Sequence, residues 1–137
     1  MPTIEFGKRD LLRGKVVDPA WYRVRIENVS EAISKDGKST NYPVEATILF
    51  NGDTGNTDFQ MVPLDWMFNS KAVGFAVGFL AAFGVTAEVG KRFNLDIAIG
   101  KELDVFVEND TYQGRMVNRV NHKYRAPRQE VSAMVTA

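Results

Sequence analysis

Apolar and polar side chains alternate with a period of two in several stretches of this chain, and one stretch between them is apolar nearly all round. In "WYRVRIENV", residues 21–29, Tyr22, Val24 and Ile26 alternate with Trp21, Arg23, Arg25 and Glu27, the period of a strand with one buried face. That pattern predicts Trp21, Arg23 and Arg25 on the outer face. "SEAISKDGKSTN" follows, and its Asp36-Gly37 centre reads as a hairpin loop carrying Lys35 and Lys38. The return strand "YPVEATILF" places Tyr42, Val44, Ala46, Ile48 and Phe50 inward, with Glu45 and Thr47 outward. After the turn-rich "NGDTGNT", "DFQMVPL" reads as a third strand ended by Pro63.

The period then changes. "NSKAVGFAVGFLAAFGV" predicts a helix of about four turns, capped by Asn69 or Ser70 and ended at Gly84. Gly74 and Gly78 share one helix face, which fits close packing on a sheet or a dimer seam. In "ELDVFVEND", Leu103, Val105 and Val107 alternate with Asp104, Phe106 and Glu108. "DTYQG" turns the chain into "RMVNRVNHKYR", with Met116, Val120 and Tyr124 on one face and Arg115, Arg119 and Lys123 on the other. Val117 does not fit that alternation.

Three strands, a helix and two strands is the element order of the OB-fold, an all-β five-stranded Greek-key barrel with one helix between strands 3 and 4. Another small barrel or an α+β sandwich shares that order. The chain divides into an N-terminal arm (1–19), an OB-fold domain (20–125) and a C-terminal tail (126–137) without pattern, expected to be disordered. The longest uncharged run, residues 72–87, is short of the roughly 20 residues a bilayer requires, so a buried helix and no membrane partner are expected.

The 137 residues carry 17 bases and 17 acids. The zero net charge hides a dipolar chain: residues 43–110 sum to −6 and residues 111–137 to +4. No cysteine is present, which excludes disulfides and thiol chemistry and fits a cytoplasmic location, as does the absence of a secretion signal at the N-terminus. His122 is the single histidine, so His clusters and His–His metal spacings are excluded. There is no phosphate loop or nucleophile elbow. Asp104 and Glu108 lie four apart on a strand, roughly 13 Å by strand rise, too far to share acid–base work. No catalytic residue, metal or cofactor is assigned, and a non-enzymatic chain is expected.

Single-stranded nucleic acid is bound by cations that offset phosphates beside aromatic faces on which bases stack. Trp21, Arg23 and Arg25 on the first strand, Lys35, Lys38 and Tyr42 around the first loop, and Tyr112, Arg115, Arg119 and Lys123 on the last hairpin supply both. The bland alternative is a solvated basic face, with Trp21 and Tyr42 capping the core.

The segment "AWYRVRIENVSEAISKDGKSTNYPVEATI", with "FLAAFGV" and "IGKELDVFVENDTYQGRMVNRVNHKYR", resembles phage-type single-stranded DNA-binding proteins of the OB-fold class over residues 20–125. The resemblance implies sequence-tolerant coating of single-stranded DNA in replication or recombination, in the host cytoplasm. By position it points to Tyr22, Tyr42, Gly37-Lys38, Tyr112, Gly114, Arg115, Asn118 and Tyr124. RNA as a further ligand and a homo-oligomer stay open. The end "EVSAMVTA" lacks the acidic tip through which many cellular relatives recruit partners. The rival expectation is a structural or protein-interaction barrel, such as a virion or assembly component.

Overall fold

A computed structural model of the chain describes residues 2–133. Six antiparallel strands form one sheet: β1 (Ala20–Val29), β2 (Ala32–Ile33), β3 (Thr40–Asn51), β4 (Pro63–Asn69), β5 (Glu102–Tyr112) and β6 (Arg115–Arg125). Three short helical turns complete it: α1 (Lys8–Leu11), α2 (Phe75–Ala81) and a 3-10 turn at Leu95–Ala98. The strand order is β2-β3-β1-β5-β6, with β4 on the free side of β3. Among the described residues no helix is long and apolar enough to cross a membrane.

The sheet curls over the inward residues that alternation marks. Tyr22, Val24 and Ile26 of β1, Val44, Ala46 and Ile48 of β3, and Leu103, Val105 and Val107 of β5 are all buried. Its two ends, β4 and β6, approach through rings, with Trp66 and Phe68 each 6.3 Å from Tyr124. Helix α2 covers this meeting place with the fully buried Phe79, whose ring lies 5.1 Å from Phe68 and 5.4 Å from Tyr124. A Cβ on Gly78 would reach the Tyr124 ring at 3.7 Å, whereas one on Gly74 would meet nothing. A side chain would therefore be accommodated at both positions, and neither glycine is required by close packing.

Several sequence expectations are corrected. The third strand is Pro63–Asn69, not residues 58–64, because the chain is still turning at Met61, whose φ is 74°. Pro63 instead opens the strand, where its missing N–H is tolerated. The helix spans seven residues rather than four turns, since Asn69 is still paired with Asn41 in the sheet. Gly84, with φ of 79°, follows it as expected. Phe50 faces outward, because an irregularity in the β1–β3 register sets it opposite Arg23. Thr47 points outward but is fully buried, since Arg9 Nε donates to its Oγ1 at 2.8 Å. Met116 is exposed, because the β5–β6 hairpin runs past the start of β1, where Ala20 pairs with Val107.

Parts of both terminal segments are tied to the sheet. In the arm, Val17 is buried and its N–H donates to Asn118 Oδ1, while Asn118 Nδ2 donates to the Lys15 carbonyl. In the tail, the Arg128 carbonyl accepts from Arg23 Nη2, and its guanidinium bonds Asp53. Residues 134–137 of the expected tail lie outside the described residues.

His122 joins β6 to α2. It occupies a left-handed conformation (φ 53°) within an irregularity of the β5–β6 ladder, its ring stacked 4.5 Å from that of Phe75 and its Nδ1 2.9 Å from the Tyr124 hydroxyl. Burial among these rings holds its pKa below the ordinary value. A histidine kept neutral by folding stabilises the fold above the unfolded pKa of about 6.5, and that contribution is lost as pH falls through the lower folded value. Urea midpoints should therefore drop between pH 7.5 and 5. The drop should be smaller in His122→Asn, which tolerates the same φ; an equal drop in both proteins would remove His122 from the account.

Candidate nucleic-acid interface

The outer face of β1, β5 and β6 carries the aromatic and cationic side chains. Register sets Trp21 opposite Phe106, and their rings meet edge to face at 5.5 Å. Each ring has a cation above it: the Arg125 guanidinium carbon is 4.4 Å from the Trp21 centroid, and Lys123 Nζ is 5.3 Å from that of Phe106. Both cations are ion-paired as well, Arg125 with Asp104 and Asp53 and Lys123 with Glu108, so each ring is held under a fixed charge.

Beneath this surface lies a buried carboxylate. Asp104 is wholly inaccessible, and its two oxygens accept from Arg23 Nε at 2.7 Å and Arg125 Nε at 2.9 Å. Arg125 Nη2 also bonds Asp53 Oδ1 at 2.6 Å, which Arg128 Nη1 shares at 3.0 Å. Gly52 admits the carboxylate closely; a Cβ there would stand 2.9 Å from Asp104 Oδ2. This corrects the expectation for Arg23. It points outward as alternation requires, but it is 6% exposed, spent on Asp104 and stacked over Phe50, so it is closed to a phosphate.

Beyond β1 the β5–β6 hairpin continues as a two-stranded ribbon. Gln113 and Gly114, with φ of 51° and 77°, form its two-residue turn, the pair of left-handed residues that a tight hairpin favours. Tyr112, 61% exposed, sits opposite Arg115 at the tip. Arg119 bonds Asp110 at 2.6 Å and Lys123 bonds Glu108 at 3.3 Å, all four side chains between about one-third and just over half exposed. Arg115 is exposed and carries no ion pair among the described residues.

The remaining sequence candidates lie elsewhere. Arg25 reaches Glu27 at 3.0 Å, toward the other end of β1. Lys35 and Lys38 are exposed in the 34–39 turn, which Asp36 ties by accepting from Ser34 Oγ and the Lys38 N–H. That turn leaves from the end of β1 where Val29 pairs with Val44, opposite the end beyond which the ribbon extends. Tyr42 is half-buried and lines a cavity of about 670 Å³ with Phe68, Val77 and Leu80, rimmed by Glu31, Glu88, Lys91 and Asp96. Lys35, Lys38 and Tyr42 therefore do not join Trp21 in one groove. Of the positions that the resemblance singles out, Tyr22 is buried with its hydroxyl on the Asp18 carbonyl, and burial pushes its pKa up to about 12. Asn118 pins the arm, and Tyr124 belongs to the ring cluster under α2.

Phe106 and Arg125 are the members that sequence selection missed. Phe106 had a usable signal, an aromatic at an outward strand position. Arg125 had none, because only strand pairing brings it over Trp21. No family model matches the chain, and no curated protein matches it in sequence.

Proposed function

We propose that this chain is a non-enzymatic, sequence-tolerant single-stranded DNA-binding protein that coats DNA strands in replication or recombination, with RNA as a second ligand. In this reading the path β4-β3-β1-β5-β6 is a five-stranded OB barrel, β2 is an extension of its first hairpin, and α2 fills the gap between β4 and β6. The observation that carries the proposal is the outer face on which Trp21, Phe106 and Tyr112 stand beside Arg115, Arg119 and Lys123. Bases stack on the rings and phosphates meet the cations, two requirements of strand binding without sequence readout. The resemblance to phage-type single-stranded DNA-binding proteins supports the same assignment, with the host cytoplasm as the place of action.

Titration of labelled oligo-dT at two salt concentrations tests it. Each phosphate engaged should lower log K by about 0.7 per tenfold rise in salt. Arg115→Ala with Arg119→Ala should weaken affinity alike for all sequences and flatten the slope by about 0.7, the share of Arg115, since Arg119 is already paired with Asp110. Absence of binding at low salt, or binding indifferent to salt, overturns the proposal.

The acid-rimmed cavity beside the exposed Val73, Phe75 and Val77 favours a second reading, an interaction barrel in an assembly. Tight homo-oligomers carrying no nucleic acid through purification would favour it over the first.

A further inference from the structure

The outer face of the β5–β6 ribbon is not the open row of cations that its sequence describes. Three cations, Arg115, Arg119 and Lys123, share it with two carboxylates, Glu108 and Asp110, so its net charge is one rather than three. Glu108 and Asp110 are two residues apart on β5, about 7 Å by strand rise, and point to the same side. Each holds one of the cations that a bound strand would use: Asp110 Oδ2 takes Arg119 Nε, and Glu108 Oε1 takes Lys123 Nζ. These pairs flank the aromatic positions, with Phe106 below Lys123 and Tyr112 beyond Asp110 at the tip.

We propose that Glu108 and Asp110 stand in for phosphates on the empty protein and set the selectivity of this face; the proposal rests on the single-strand reading above. A cation already held by a carboxylate gains little from a bare polyanion, which offers only an exchange of one anion for another. A nucleic acid offers the same exchange together with base stacking on Trp21, Phe106 and Tyr112. The exchange itself is easy, since half-exposed ion pairs are weak and open readily. The ribbon therefore favours strands that present bases with their phosphates and rejects polyanions without them. Net charge alone, with three free cations, would select for charge density and would take either.

The test uses the full chain with Glu108→Gln, Asp110→Asn and the double variant, and Glu45→Gln on the exposed side of β3 as a charge-matched control. Oligo-dT binding is read by fluorescence anisotropy across a salt series, and inorganic polyphosphate binding is read directly by calorimetry. Each ribbon substitution should tighten oligo-dT binding by up to about fivefold. Each should also steepen the salt slope by about 0.7. Polyphosphate should bind the unmodified protein weakly and the double variant roughly tenfold more tightly in its own titration, as two released ion pairs allow. If the unmodified protein binds oligo-dT but the ribbon variants behave like Glu45→Gln, the selectivity role is overturned while the single-strand reading stands. If neither the unmodified protein nor the double variant binds oligo-dT at low salt, both fall together.

Discussion

Replacing Asp104 by alanine is expected to lower the unfolding free energy by about 3–5 kcal/mol, the cost of breaking a buried ion pair from one side. Asp104 is wholly buried and Arg23 nearly so, and the carboxylate also receives Arg125. Its removal strands the Arg23 guanidinium between Phe50 and the sheet with only the Arg128 carbonyl as partner. Such a loss is a large fraction of the roughly 5–15 kcal/mol by which domains are stable. The urea midpoint should fall at unchanged m-value. Pairing Asp104→Leu with Arg23→Met should recover much of the loss, because two matched apolar side chains leave no charge unpaired. A folded Asp104→Ala protein within about 1 kcal/mol of the original would show that solvent reaches Arg23 after all.

How much of this was legible in sequence depends on how far each feature relies on distant residues. The inward rows of β1, β3 and β5 were readable, because burial of one sheet face imposes a period of two on the chain itself. Phe50 was misread because a register irregularity, which leaves no mark in composition, turns it to the face of Arg23. Thr47 points outward as alternation requires, but its burial is not legible because its cover, Arg9, lies 38 residues away. The helix was overextended because an apolar run records burial but not where the backbone leaves the sheet. The same division runs through the candidate site. Strand parity is enough to put Trp21, Arg115, Arg119 and Lys123 on the outer face, and the turn signal puts Tyr112 at the hairpin tip. Lys35, Lys38 and Tyr42 group with them in sequence because nothing there says beyond which end of β1 the β5–β6 ribbon extends. Sequence counted charges, and only cross-strand register shows that Glu108 and Asp110 neutralise two of them.

The aromatic positions allow the sharpest separation of stacking from charge. The double substitution Trp21→Ala and Tyr112→Ala should cost about 2–6 kcal/mol of single-strand affinity, at about 1–3 kcal/mol per stacked base. That is a weakening of roughly thirtyfold or more. The salt slope should stay where it was, since every cation that meets a phosphate remains. Tyr112 is exposed at a hairpin tip and its removal costs the fold little, whereas Trp21 lies under Arg125, so circular dichroism must show the variant folded. Trp21→Phe keeps a ring on Phe106 and a cation above it, and should restore most of the affinity lost at that position. A folded double variant that binds oligo-dT within about twofold of the original would mean that the bases do not use these rings. A loss accompanied by a flattened slope would instead place phosphates on Trp21 through Arg125, and would make that arginine a ligand contact as well as the partner of Asp104.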